Sequence, residues 1–210
     1  MTAQPLEAPR RRNLAVDVAN HIRDAILTGR LRPGTRIDQD AIAEELGVSR
    51  LPVREALIAL DQEGLVETIP RRGSYVQRLE RDDIADHYQL FGRVAGLAAS
   101  RAAARIDDAQ LAELERVHGA MGGAVDAAEQ ERLNFEFHRI INQAADSRRI
   151  TSVLLLLTRS LPSRYFEFVP EWPDEAHRQH GEIMAALRAR DAQAAQAAME
   201  AHLAASATHA

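Results

Sequence analysis

Three positions between Gln39 and Ile58 constrain this chain more than any other feature. Ala43, Gly47 and Val53 form the pattern Ala–x3–Gly–x5–Val. Two short helices joined by a tight turn approach closely, so a small residue is needed where they touch, and Ala43 supplies it. The turn needs a residue that tolerates positive φ, and Gly47 supplies that. The second helix must bury a branched side chain against the first, and Val53 is placed to do so. With Ile42, Leu46, Leu57 and Leu60 filling the interior, the pattern predicts a helix-turn-helix over about 38–46 and 49–64. Ser49 is the expected N-cap of the second helix, and Pro52 is tolerated in its first turn.

The flanks extend this unit. Val18, Ile22 and Ile26 recur at helical spacing after Leu14, and that helix ends near Gly29. Val66–Ile69 and Ser74–Gln77 are β-like and joined by Pro70-Arg71-Arg72-Gly73, which predicts a small hairpin. Beyond Leu79 strand patterns stop. Helices are expected over about 82–105, 107–122, 126–146, 148–164, 173–190 and 191–207. The last of these reads as an amphipathic helix in which Ala194, Ala198 and Ala201 line a face, with Met199 nearby. The fold class is therefore mainly α. A disordered arm (1–13) precedes an N-terminal winged helix-turn-helix domain (14–79). An all-α helical bundle (80–210) follows.

Charge must be read for each part separately. The formal net charge is −5, which on average argues against a nucleic-acid partner. Residues 1–79, however, hold twelve Arg against eleven acids, whereas 80–210 hold fourteen Arg against twenty acids. All 26 basic residues are Arg, and there is no Lys and no Cys. Those absences exclude Schiff-base lysine chemistry, a Walker A loop, thiolate metal sites and disulfide scaffolds. The longest apolar run, Val153–Leu157, is far too short to span a bilayer. The first 13 residues have no apolar stretch of the signal-peptide kind. A cytoplasmic protein without a membrane partner is expected.

Arg50 and Arg54 lie four apart, on one face at the N-terminal end of the second helix. That is where such a helix meets base edges, and Arg is the best bidentate reader of guanine. Arg71 and Arg72 at the hairpin tip suit phosphates or a minor groove. The blander alternative makes Arg50 and Arg54 a solvated face, paired with Glu55 or Asp61.

These residues resemble a known family. Ile22-Arg23, Gly29-Arg30-Leu31-Arg32-Pro33-Gly34, Leu46 to Leu57, Glu63-Gly64-Leu65-Val66 and Pro70 to Gly73 are similar to the winged helix-turn-helix of GntR-type bacterial transcription regulators. The resemblance implies a homodimer on a palindromic operator in double-stranded DNA. It places Ser49, Arg50 and Arg54 at the DNA, and Arg71, Arg72 and Gly73 on the minor groove. Leu51 stands where many relatives carry Thr, which alters a local contact.

In the bundle, Asn134 and His138 share a helix face, and His180 and His202 lie on two later helices. Imidazoles with an oxygen ligand suit Zn²⁺, Ni²⁺ or Mn²⁺. Each His also reads as an ordinary surface or core residue, as do His21, His87, His118, His177 and His209. Asn134-x-x-Phe137-His138, His180-x-x-Ile183-x-x-Ala186-Leu187 and Ala198-Met199-x-x-His202-Leu203 resemble the FCD effector domain of the FadR subgroup, in a six-helix form. That resemblance implies a divalent metal on Asn134, His138, His180 and His202, with a small organic acid or related metabolite as effector. Asn134 stands where the family has Asp, so the metal is expected to be weakened or absent. Phe91 and Ala95 stand where the family carries Arg and Glu, which leaves Arg93, Arg139, Arg159 and Arg164 as candidates to hold an effector anion. The expected function is a ligand-responsive transcription regulator and not an enzyme. The alternative is a metal-dependent hydrolase in the bundle, for which no Glu stands between paired histidines as a general base.

Overall fold

The computed structural model describes residues 14–78, 80–124, 126–159 and 172–207. The expected disordered arm at 1–13 and the candidate Arg164 lie outside them. Chain contacts divide the protein into two compact units, Met1–Arg78 and Leu79–Ala210.

The first unit holds α1 (Leu14–Leu27), α2 (Gln39–Glu45), α3 (Arg50–Gln62), β1 (Val66–Ile69) and β2 (Gly73–Val76). Val18 and Ile22 of α1 meet Val53, Ala56, Leu57 and Leu60 of α3, with Ile42 and Ala43 of α2 beside them. Val53 and Leu60 are wholly buried. Gly47 makes the turn at φ +63°, and the Val48 amide donates to the Ala43 carbonyl at 2.9 Å, closing it. The cap of α2 is Asp38, whose carboxylate accepts from the Asp40 and Ala41 amides at 3.0 and 3.2 Å. Ser49 takes the N-cap position of α3 in extended conformation, yet its side chain makes no capping bond. The strands pair antiparallel, Val66 opposite Val76 and Ile69 opposite Gly73. The second strand therefore starts one residue earlier than expected.

A buried ion pair ties the first helix to the end of α3. Arg23 donates to both Glu63 oxygens, at 2.7–3.0 Å, and to Asn20 Oδ1 at 2.6 Å. The Arg23 and Glu63 side chains are only 10% and 4% exposed.

The second unit has six helices among the described residues. They are α4 (Arg81–Ala103), α5 (Asp108–Met121), α6 (Ala127–Ala144), α7 (Arg148–Arg159), α8 (Trp172–Arg188) and α9 (Ala192–Ala207). The long α4 packs along α9 through small residues. Ala95, Ala98, Ala99, Ala102 and Ala103 are buried. A Cβ added at Gly92 would sit 3.5 Å from the Glu200 carbonyl, and one at Gly96 would sit 2.7 Å from Glu200 Cγ. Small side chains let two backbones approach, which large ones would forbid. The packed face of α9 is Ala195, Met199, His202, Leu203 and Ser206, whereas Ala194 and Ala201 are exposed. Of the expected Ala194–Ala198–Ala201 face, Ala198 is partly buried against the core while Ala194 and Ala201 are exposed, because in an Ala-rich helix composition hardly distinguishes the inner face from the outer. Phe137, Leu133, Ile141, Ile183 and Leu187 fill the interior.

Candidate nucleic-acid interface and candidate metal centre

On α3 the buried side is Pro52, Val53, Ala56, Leu57 and Leu60. Arg50 and Arg54 therefore fall on the outer side, and both are exposed. Arg50 is ion-paired with Asp40 of α2, both side chains remaining largely in solvent. The blander alternative named Glu55 or Asp61 as partner; for Arg50 the partner is Asp40. Asp40 comes from the neighbouring helix, and the α3 pattern alone could not reveal it.

The wing tip is shaped by backbone conformation. Arg71 adopts φ +64° and Gly73 φ +108°, both left-handed and so demanding of an L residue at Arg71. The Arg72 amide closes the turn on Ile69 O at 3.0 Å. The Arg72 carbonyl accepts from Arg36 Nε at 3.1 Å and from the Tyr75 hydroxyl at 3.3 Å. Arg36 also pairs in bridge fashion with Tyr75, and a Cβ at position 73 would come within 2.9 Å of its Nε. Arg36 thus holds the tip from which the exposed Arg71 and Arg72 project. Sequence reading missed Arg36 because its partners lie more than 30 residues away.

In the second unit, His138 of α6, His180 of α8 and His202 of α9 converge, with one ring nitrogen from each lying within 4.8 Å of the others. Ring centroids are 4.5 Å apart for His180 and His202, and His138 lies 5.3 Å from His180 and 5.2 Å from His202. Asn134 lies one turn before His138 on α6, partly buried. Burial lowers His138 to about 4. Burial first, then the neighbouring imidazoles, hold His180 and His202 well below the ordinary value. All three are neutral at pH 7, and neutral imidazole is the form that ligates a metal.

Two further observations fit a cation here. Among the described residues, neither ring nitrogen of the buried His180 has a hydrogen-bond partner, an expensive arrangement for a polar group unless something binds it. The His202 tautomer is also decided. Gln179 Nε2 donates to Glu175 Oε1 at 2.6 Å, so Gln179 presents Oε1 to His202 Nδ1 at 2.8 Å. His202 must donate from Nδ1, which leaves Nε2 as the lone pair. Because the unfolded chain takes up protons on these histidines below about 6.5 and the folded one resists until about 4 for His138, metal-free bundle stability is expected to be full above pH 6.5. It should fall steadily as pH drops toward 4. Helicity melts across that range check it, and a flat profile contradicts it.

The remaining candidates are dispersed. Arg93 on α4 is ion-paired with Glu200, and Arg139 on α6 with Glu136 at 2.6 Å. Arg159 ends α7. Phe91 is partly buried against the core and Ala95 is buried within it. His118 and His177 stack with centroids 3.9 Å apart, and His118 Nε2 donates to the His177 carbonyl at 2.9 Å. No helix among the described residues is long and apolar enough to cross a membrane.

Comparison with known proteins decides the family. The family model for bacterial regulatory proteins of the gntR family matches residues 14–76, and that for the FCD domain matches residues 86–205. The chain belongs to the GntR family of transcription regulators. The GntR and FCD matches account for the wing-bearing unit and for the helical unit respectively. An uncharacterized HTH-type transcriptional regulator of Mycobacterium tuberculosis, Rv0043c, is 31% identical over 86% of this chain and 74% of its own. The HTH-type transcriptional repressor RspR of Escherichia coli is 31% identical over 82% of this chain and 78% of its own. Among solved structures, a GntR regulator from Rhodococcus sp. RHA1 superposes with a TM-score of 0.63 at 26% identity, covering 92% of this chain and 95% of that one. E. coli McbR/YncC shares the fold, with a TM-score of 0.69 at 22% identity over 90% and 93% of the two chains. This GntR regulator is a ligand-responsive DNA-binding protein with an effector-binding FCD domain. The family and these relatives are transcription regulators and not enzymes, so the hydrolase alternative has no support.

Proposed function

We propose that this GntR regulator binds a palindromic operator as a homodimer in the cytoplasm, with the N-terminal end of α3 in the major groove. Ser49, Arg50 and Arg54 face the DNA, Arg54 and Arg50 reading guanines, while Arg71, Arg72 and Gly73 bring the wing to the minor groove. One observation carries this reading: the helix that buries Val53, Ala56, Leu57 and Leu60 turns Arg50 and Arg54 outward together. Affinity for a selected operator should fall steeply with salt, because Arg–phosphate contacts release counterions. A mobility-shift titration measures it, and salt-independent binding contradicts it.

In the FCD unit, His138, His180 and His202 would hold a divalent cation such as Zn²⁺, Ni²⁺ or Mn²⁺, with Asn134 offering an amide oxygen. Such an ion would supply a positive centre for the carboxylate of a small organic acid. Effector binding would then shift the population between chain geometries that do and do not suit the operator. Arg93 and Arg139 already hold carboxylates, so an effector anion would have to displace Glu200 or Glu136 to use them. An amide is a poorer ligand than a carboxylate, so Asn134→Asp is expected to tighten metal binding at least tenfold. Metal titration of the untagged protein, with elemental analysis of both forms, checks it. Equal affinity, or one tight metal already on the wild type, removes the weakening assigned to Asn134.

A further inference from the structure

The outer face of α3 is centred on apolar side chains. At 100° per residue, Leu51 and Ile58 fall within one narrow stripe directly opposite the buried Ala56 and Leu60. They are 63% and 60% exposed, and Leu51 is the most exposed large apolar residue described. Arg54 and Arg50 lie to one side of the stripe and Glu55 to the other. Scattered exposed leucines need no explanation. Leu51 differs by its place: it stands in the first turn of α3, flanked on one side by Arg54 and then Arg50, at the end of the helix assigned above to the groove.

The major groove shows a protein one apolar group, the C5-methyl of thymine. Every other base edge there carries donors or acceptors. A leucine pressed over guanine or over the cytosine amine would strip water from a polar group without replacing its hydrogen bond. We infer that Leu51 is a specificity-determining residue that reads a thymine methyl beside the guanine contacted by Arg54. It selects thymine by contact and rejects guanine and cytosine by leaving their polar edges unpaired. A Thr side chain at this position would offer both a methyl and a hydroxyl and so discriminate less sharply. The inference rests on the proposed docking of α3 and adds the base that its apolar side chain recognises.

The test uses the full chain throughout. Bound duplexes are selected from a random library with wild type and with Leu51→Ala, and the thymine preference that distinguishes the two is located. Deoxyuridine is then placed at that position, which removes only the methyl. Wild type is expected to lose about fourfold in affinity per half-site, the usual effect of one buried methyl, and Leu51→Ala to bind both duplexes equally within twofold. Leu51→Thr should retain part of the preference. Because Leu51 is exposed, unchanged helical melting establishes that the variants are folded. If wild type selects a sequence but is indifferent to every thymine methyl, or if Leu51→Ala keeps the preference, the inference is overturned while the groove reading stands. If wild type selects no sequence, the groove reading fails and the inference with it.

Discussion

Arg54→Ala is expected to weaken sequence-specific operator binding by roughly 30-fold to 10⁴-fold while leaving the chain folded and its oligomeric state unchanged. Arg54 is exposed, on the side of α3 away from Val53, Ala56, Leu57 and Leu60, so truncation removes no core contact. A bidentate guanine contact contributes about 1–3 kcal/mol to base discrimination. On a two-fold operator the loss occurs twice, about 2–6 kcal/mol in all, which spans roughly 30-fold to 10⁴-fold in affinity. That range reaches the gap of roughly 10³–10⁷ between specific and non-specific binding. The salt-sensitive binding to unrelated DNA should survive, since Arg71 and Arg72 remain. Competition mobility shifts with operator and scrambled duplexes, alongside sedimentation, measure both quantities. Undiminished preference for the operator would remove Arg54 from the reading set.

Glu63→Ala is expected to destabilise the winged domain by about 3–5 kcal/mol, the usual effect of removing one partner from a buried ion pair. Among the described residues, Arg23 would then keep a side-chain hydrogen bond to Asn20 alone, with its charge still inside. Domains are stable by only about 5–15 kcal/mol, so this single change takes a large share. Amide exchange in α1 and α3 should accelerate by about two to four orders of magnitude, while α5 and α6 of the other unit stay protected. Exchange that is unchanged in α1 would show that the pair is not what fastens that helix. Replacing both partners by apolar residues should restore much of the loss, because a buried pair stabilises little relative to a packed apolar substitute.

The helix-turn-helix was legible because its constraints are local. The Ala43 contact, the positive φ at Gly47 and the burial of Val53 lie within eleven residues, and each demands a particular residue type. The hairpin was legible to one residue, since Pro70 to Gly73 mark the turn but do not say which side of it keeps the ladder bonds. The α9 face is legible only in part, because alanines repeat on every side of that helix, and only its packing against the rest of the bundle distinguishes the buried Ala195 from the exposed Ala194. The exposure of Arg50 is legible from the α3 pattern, whereas its partner Asp40 is not, since Asp40 approaches through the turn and not along the helix.

Periodicity, turn chemistry and residue type thus determined the two-part architecture, the outward arginines of α3 and the three histidines worth watching. Spacing cannot measure convergence between helices 22 or more residues apart. Only the packing of α6, α8 and α9 brought His138, His180 and His202 together, set Gln179 to orient His202, and left the His180 ring nitrogens without a hydrogen-bond partner among the described residues. Likewise only the fold placed Arg36 under the wing and Glu63 against Arg23. The physical reason is the same in each case: helix and turn preferences act over a few residues, whereas burial, desolvation and ion pairing depend on which distant side chains the core forces into contact.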